Sequence, residues 1–157
     1  MRGLQPGPRP EGAIMAEKIT RSEADWRAIL PDLAFRVTRK HATERAFTHD
    51  DFPKGPGRFH CVCCGAALFD AGAKFESGTG WPSFYQPITP EAVGETEDRT
   101  WFLRRTEVHC ASCDAHLGHV FNDGPAPTGL RYCINGVALT KESDQADRRV
   151  SSWEGNR

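Results

Sequence analysis

The sequence predicts a mainly β domain of antiparallel sheet preceded by a short helical arm, and three features indicate this. From Arg58 onward, short segments rich in Phe, Trp, Val and Thr alternate with Gly, Pro and Asp, which is the pattern of strands joined by turns. Helix signals lie earlier, in residues 22–40. The length of 157 residues, 38% of them hydrophobic, suits one domain with a modest core.

Both ends of the chain are predicted to lie outside this domain. Residues 1–16 are rich in Gly and Pro and have almost nothing to bury, so we expect a disordered tail there. Residues 144–157 are expected to form a polar tail, which leaves 17–143 for the folded domain. Met15 directly precedes the domain, and one hypothesis is that translation starts there, which N-terminal sequencing of the native protein would test.

The helical arm is predicted from capping residues and apolar spacing. Residues 22–25, Ser-Glu-Ala-Asp, resemble a capping box, and Trp26 and Ile29 follow at helical spacing. Pro31 ends this first helix and opens the first turn of a second one, which we predict over 32–40.

Five later segments are predicted as strands because β-branched and aromatic residues fill them between turn residues. They are Arg58 to His60, Lys74 to Glu76, Thr100 to Val108, His116 to Phe121 and Leu130 to Leu139. The acidic stretch from Glu91 to Asp98 is predicted to be an exposed loop.

Charge and hydropathy argue against several classes of protein. The chain has 20 Lys and Arg against 21 Asp and Glu and no long basic run, so nucleic acid or an anionic membrane is not expected as its main partner. No segment approaches the roughly 18 consecutive apolar residues of a membrane span. The first residues lack the apolar region of a secretory signal, so secretion is not expected. The expected location is the cytoplasm.

Two Cys-x-x-Cys pairs predict a metal site. Cys61 with Cys64, and Cys110 with Cys113, each form a tight knuckle that directs two thiolates at one centre. Four thiolates leave no position for water, so we expect a structural ion and favour zinc over iron. Iron and a pair of disulfides are the alternatives, although nothing in the chain indicates an oxidising compartment.

Two cysteines lie outside this spacing. Cys63 is interpreted as a small buried hydrophobic residue, with a redox partner as the alternative. Cys133 lies in a strand-like run in which Arg131, Cys133 and Asn135 share one face, because side chains alternate along a strand. A neighbouring guanidinium lowers the pKa of a thiol, so Cys133 is predicted to be a nucleophile.

His116 and His119 are predicted to work as a pair. Their spacing places them on opposite faces of a regular strand, but a bulge at Gly118 would turn both rings to one side, where they serve as proton donors or bind a polar ligand. The alternative is two surface histidines. Their position between a metal knuckle and Asp123 favours a functional role.

Trp81 is predicted to contact a ligand, because it lies on a loop, 78–84, that is loosened by glycines. Glycines increase backbone freedom and do not help to fill a core. A core position for Trp81 is the alternative interpretation.

Four motifs then occur in a fixed order. They are Cys-x-x-Cys-Gly-x-x-Leu-Phe at Cys61 to Phe69, Lys-Phe-x-Ser-Gly-x-Gly-Trp-Pro-Ser-Phe at Lys74 to Phe84, Cys-x-x-Cys-Asp-Ala-His-Leu-Gly-His-Val-Phe at Cys110 to Phe121, and Gly-Leu-Arg-Tyr-Cys-Ile-Asn at Gly129 to Asn135. Together they resemble the B-type methionine-R-sulfoxide reductases, from about Ile19 to Leu139. The resemblance implies two antiparallel sheets stapled by zinc, a β-tent or barrel-like domain.

The activity that this resemblance implies is an oxidoreductase reaction that repairs proteins after oxidative stress. Methionine-R-sulfoxide, protein-bound or free, would be reduced to methionine by Cys133, which would become a sulfenic acid. His119, with His116, would bind and protonate the sulfoxide oxygen. The implied partners are oxidised proteins and a thiol reductant, either thioredoxin or another.

The resemblance also implies roles for the polar and aromatic residues nearby. Asp123 would orient a histidine, Asn135 would complete the polar side of the site, and Arg131 would favour the thiolate. Trp81 would hold the substrate's methyl group, and Phe84 is also assigned to substrate binding.

The chain departs from the family pattern at Thr79, where many members carry a resolving cysteine. The sulfenic acid would then be reduced directly by an external thiol, which we favour, or by Cys63, which a rigid zinc knuckle disfavours. Near the site, Asn135-Gly136-Val137 replaces the usual Asn-Ser-Ala, which puts fine substrate positioning in question.

Two other functions are alternatives to the reductase activity. The first is a zinc-binding recognition module of the same fold without redox activity, since fold alone does not define function. Such a module does not need Cys133, His116 and His119, so their presence argues against it. The second is a cysteine hydrolase, which would form an acyl-enzyme and would not consume a reductant.

Overall fold

The computed structural model describes residues 18–100 and 103–142. The predicted tails, 1–16 and 144–157, lie outside these residues. Within the described part of the chain, neither helix is long and apolar enough to cross a membrane.

Both predicted helices are confirmed. Helix α1 spans Glu23–Ile29, and the hydroxyl of Ser22 accepts a hydrogen bond from the backbone N–H of Asp25 at 3.0 Å, as a capping residue does. Helix α2 spans Asp32–Lys40 and packs one apolar face against the sheet. It ends at His41, whose φ of 61° is left-handed and turns the chain away from the helix.

The strands form two antiparallel sheets, which confirms the predicted fold class. In order they are β1 (Arg58–Cys61), β2 (Ala67–Asp70), β3 (Lys74–Phe75), β4 (Ser83–Phe84), β5 (Val93–Thr100), β6 (Leu103–Cys110), β7 (His116–Phe121), β8 (Arg131–Ile134) and β9 (Leu139–Glu142). The smaller sheet has the order β2-β1-β9, and the larger one has the order β3-β4-β8-β7-β6-β5. In the described residues neither sheet closes on itself, so no barrel is required.

Aromatic rings from both sheets form the core. Phe59 of β1 and Phe69 of β2 lie against Phe84 of β4, with ring centroids 5.0 Å and 4.3 Å away respectively. Leu117 and Ile134 are fully buried beside them. This packing fixes which faces of β7 and β8 point inward, and therefore which side chains remain for a site.

Two sequence predictions about the strands are wrong. The stretch from Glu91 to Asp98 is not an exposed loop, because all but its first two residues belong to β5, which pairs with β6 at the edge of the larger sheet. Acidic side chains are tolerated on an edge strand, and they discourage pairing with another chain. The predicted strand from Leu130 to Leu139 is broken, because a 3-10 turn over Gly136–Ala138 separates β8 from β9 and takes the chain to the other sheet.

Candidate active site

A small cavity forms where β7 and β8 lie side by side. In the register of these strands, Cys133 is directly opposite His119. The cavity has a volume of about 130 Å³, and its walls include Trp81, Arg105, His119, Phe121, Cys133 and Asn135. The structure therefore brings together the predicted nucleophile, one predicted histidine, the loop tryptophan and the amide.

The two predicted histidines lie close together because β7 contains an irregularity. The register between β6 and β7 shifts next to Gly118 so that Leu117 is skipped, and the rings of His116 and His119 lie 5.6 Å apart at 73°. The predicted bulge is confirmed in this position. A Cβ atom at Gly118 would collide with the carbonyl oxygen of Cys133, so glycine also permits the close approach of β7 to β8.

The histidines differ in depth. His119 lines the cavity, whereas His116 is only 3% exposed and lies behind it. Burial lowers the pKa of His116, and the carboxylate of Glu107 opposes this effect. Of the two rings, His119 is therefore the one that lines the cavity, and His116 is packed against it.

The thiol of Cys133 is half-buried, and the alternating burial of β8 agrees with the predicted strand faces. Burial raises its pKa, and the charge of Arg131 and the hydroxyl of Thr79 oppose that rise without cancelling it. Arg131 is itself held by both carboxylate oxygens of Asp123, at 2.8 and 3.1 Å. Arg131 thus favours the thiolate as predicted, but burial outweighs this effect and the pKa of Cys133 stays above its usual value.

The carboxylate that binds a histidine is not the predicted one. Asp123 accepts its hydrogen bonds from Arg131, and this cation lowers the pKa of Asp123. Glu107 of β6 instead has one carboxylate oxygen 2.6 Å from Nδ1 of His116. Sequence reasoning missed Glu107, because no motif or spacing in the sequence marks this residue.

Glu44 is a second residue that the sequence interpretation missed, and it holds several parts of the site together. Its buried carboxylate accepts from the N–H groups of Gly136 at 2.7 Å and Val137 at 3.0 Å. Its own N–H donates to the side-chain oxygen of Asn135, and its carbonyl accepts from the indole N–H of Trp81. Glu44 therefore positions both the amide and the tryptophan of the cavity, while burial raises its pKa.

Gly136 also has a structural reason to be glycine. A Cβ atom there would collide with the backbone oxygen of His49, so the segment around His49 packs directly on this turn. Glycine at the position of the usual Ser therefore accompanies a close contact between two backbone segments. Asn135 keeps its place, because its side-chain amide donates a hydrogen bond to the carbonyl of Leu117 at 2.9 Å.

Phe84 is not part of the cavity, so its assignment to substrate binding is wrong. Its side chain is fully buried, and β4 pairs it with Tyr132, which points into the core. The aromatic ring that does reach the cavity is that of Trp81, which is partly exposed on the preceding loop.

The two knuckles meet as predicted. The sulfur atoms of Cys61 and Cys113, and those of Cys64 and Cys110, are each 3.7 Å apart, and all four lie within 4.8 Å of one another. A tetrahedral ion with Zn–S bonds of about 2.3 Å requires sulfur separations of about 3.8 Å, so the residues fit a zinc ion. All of these cysteines are free, which removes the disulfide alternative.

Cys63 belongs to the surroundings of the knuckles. Its thiol donates a hydrogen bond to the hydroxyl of Thr38 in α2, at 3.3 Å. Cys133 interacts instead with Thr79, on the loop between β3 and β4, and with Arg131 of β8. The two thiols therefore have no neighbour in common among these contacts.

Comparisons with known proteins agree with the site. The SelR domain family matches residues 30–143. Proteins called "Peptide methionine sulfoxide reductase MsrB" are similar: one from Synechococcus sp. (strain RCC307) is 52% identical, over 78% of this chain and 91% of that protein. Others, from Pseudomonas putida (strain W619) and Pseudomonas fluorescens (strain Pf0-1), are 54% and 55% identical, over 78% of this chain and 93% and 95% of theirs.

Proposed function

The chain belongs to the SelR-domain family of MsrB-type peptide methionine sulfoxide reductases, and from this we propose that it reduces the R epimer of methionine sulfoxide through the thiol of Cys133. The reaction makes the protein an oxidoreductase. The observation that carries the proposal is the meeting of Cys133, His119 and Trp81 in one cavity of about 130 Å³. The substrate is methionine sulfoxide in oxidised proteins, and the free amino acid is a possible second substrate.

In the proposed reaction, the thiolate of Cys133 attacks the sulfoxide sulfur. Two electrons pass from the cysteine sulfur to the substrate, the S–O bond of the sulfoxide breaks, and the oxygen ends on Cys133 as a sulfenic acid. His119, directly opposite Cys133 in the β7–β8 register, donates a proton to that oxygen as negative charge develops.

Trp81 supplies selectivity between epimers in this proposal. The two epimers differ in where the oxygen points, so an aromatic wall for the methyl group on one side and a donor on the other accept one of them. The hydrogen bond from the indole N–H to Glu44 at 3.1 Å supports a fixed position for the ring. Asn135 completes the polar wall.

The sulfenic acid has to be reduced before the next cycle. We infer that an external dithiol, such as thioredoxin, or two equivalents of a small thiol take the oxygen away as water and become a disulfide. Thr79 stands at the position of the resolving cysteine, and the separate surroundings of Cys63 and Cys133 support direct reduction.

This second half-reaction is tested by mass spectrometry after one equivalent of methionine-R-sulfoxide is added without reductant. We expect a single oxygen on Cys133, trapped by dimedone, and no disulfide. A disulfide between Cys63 and Cys133 would contradict direct reduction. An unmodified Cys133 with no methionine formed would contradict the proposed function itself.

The metal proposed for the four-cysteine site is one structural zinc ion held by Cys61, Cys64, Cys110 and Cys113. It would supply no chemistry at the cavity, since four thiolates occupy its coordination shell. Metal-binding thiols and a free catalytic thiol require a reducing compartment, which supports the cytoplasm as the location. A recognition module without redox activity is the alternative, and the alignment of Cys133 with His119 argues against it.

A further inference from the structure

A chain of titratable side chains leads from the surface to the back of His119. His41, at the end of α2, has 61% of its side chain exposed, and its Nδ1 lies 3.0 Å from a carboxylate oxygen of Glu107. The same oxygen lies 2.6 Å from Nδ1 of His116, which is 3% exposed. The ring of His116 meets that of His119 edge to face at 5.6 Å. The order from solvent to cavity is therefore His41, Glu107, His116, His119.

We propose that His41 and Glu107 form a proton-supply path to His119, in which Glu107 is a positioning residue for His116. This inference rests on the proposed function, because it assigns to His119 the proton that the sulfoxide oxygen receives. None of the sequence motifs identified Glu107 or His41 for such a role.

The hydrogen bond to Glu107 selects the arrangement of His116. A carboxylate that is hydrogen-bonded to Nδ1 holds the ring in one orientation, so a proton taken up at Nδ1 from the side of Glu107 can leave from Nε2. The negative charge also favours the protonated ring, which opposes the effect of burial on the pKa of His116. Glu107 thus limits the loss of the proton that burial of His116 causes.

The path has a chemical purpose in each cycle. The attack on the sulfoxide transfers one proton from His119 to oxygen, while the thiol of Cys133 releases its own proton to solvent. His119 must then regain a proton before the next cycle. His116, Glu107 and His41 connect it to water on the side away from the cavity, where the substrate does not block access.

The groups that face His116 come from three elements. Glu107 on β6 favours its protonation, whereas His41 at the end of α2 and His119 on β7 disfavour it when they are charged. Replacing Glu107 by Gln removes the favourable charge, so the pKa of His116 falls. The protonated fraction at neutral pH then falls, and the rate recovers only as the pH is lowered.

The test measures methionine formation from methionine-R-sulfoxide with the metal-loaded protein over a range of pH. For Glu107→Gln we expect kcat at neutral pH to fall by roughly 10- to 100-fold, with little change in KM, because a positioning residue should cost no more than the lower limit of about 100-fold for general acid catalysis itself. The descending limb of the pH profile should move to lower pH. An unchanged profile with an unchanged kcat would overturn the proposal.

His41→Asn provides a second variant that does not depend on the stability of Glu107→Gln. Asn tolerates the left-handed φ of 61° at this position, so the backbone is kept while the imidazole is removed. We expect a lower kcat that added imidazole restores, since the position is exposed. Loss of activity without rescue by imidazole would contradict a proton path through His41.

A competing explanation of the same cluster is metal binding. The ligand atoms of His41, Glu107 and His116 all lie within 4.8 Å of one another, and a second zinc ion there would occupy the atoms that the proton path needs. The metal-loaded wild type and His41→Asn are each titrated with zinc by calorimetry. We expect the wild type to bind no second equivalent of zinc that His41→Asn fails to bind. Such an equivalent would overturn the proposal, whereas an inactive wild type would instead contradict the proposed function.

Discussion

Replacement of Cys133 by Ser is expected to lower the reduction of methionine-R-sulfoxide by a factor on the order of 10⁴ or more, because a hydroxyl cannot supply the electron pair or form the sulfenic acid. The half-buried side chain of Cys133 faces the cavity and not the core. The free energy of unfolding of Cys133→Ser should therefore differ from that of the wild type by no more than about 1 kcal/mol. Methionine formation with dithiothreitol and chemical denaturation are the two measurements.

The matched control is Cys63→Ser, which changes the same atom at the other cysteine outside the metal spacing. With dithiothreitol as reductant we expect this variant to keep most of its activity, because Cys63 contacts Thr38 and not the cavity. Full activity in Cys133→Ser would contradict the assignment of the nucleophile. Loss of activity in both variants would contradict the direct reduction of the sulfenic acid.

Replacement of Cys110 by Ser is expected to have the largest effect on stability. The first knuckle follows β1 of the smaller sheet, and the second joins β6 to β7 of the larger one, so one ion links both sheets. Structural zinc contributes about 10 kcal/mol or more to folding in small domains, which is as large as the whole free energy of unfolding of a typical protein, about 5–15 kcal/mol.

We therefore expect Cys110→Ser to lose its metal and its cooperative unfolding transition, as measured by metal analysis and thermal melting. Cys63→Ser serves again as the control and should retain one ion per chain. If Cys110→Ser kept one equivalent of metal and the wild-type Tm, the four-cysteine site would not be the structural link between the sheets.

Features set by local chemistry were predicted well from the sequence. The cap at Ser22 depends on a few neighbouring residues, and the Cys-x-x-Cys spacing confines two thiols to one turn. The irregularity beside Gly118 could also be predicted, because glycine is the residue that permits it.

Features that depend on contacts between distant segments could not be predicted in this way. Glu44 and Glu107 approach the site from segments that carry no recognisable catalytic spacing, and their roles depend on which backbone groups and rings they meet. Asp123 is near the histidines in sequence, yet its carboxylate accepts its hydrogen bonds from Arg131 of β8. Phe84 belongs to the same motif as Trp81 and follows it by three residues, but its ring is fully buried in the core.

The pKa of Cys133 shows the same limit. From the sequence, Arg131 on the same face of the strand predicts a lowered pKa, and the sign of that single effect is correct. Burial acts in the opposite direction and is larger, and its size depends on the strands and loop that close the cavity. The balance between the two effects follows from the tertiary structure alone.

The proposed reaction is the reduction of the R epimer of methionine sulfoxide by Cys133, with His119 opposite it across β7 and β8. The most direct test is an assay of the metal-loaded protein with the separated R and S epimers in peptides, with dithiothreitol or thioredoxin as reductant. We predict methionine from the R epimer, with one equivalent of reductant consumed for each sulfoxide and little product from the S epimer. Activity on the S epimer alone, or no product from either epimer, would contradict the proposed function.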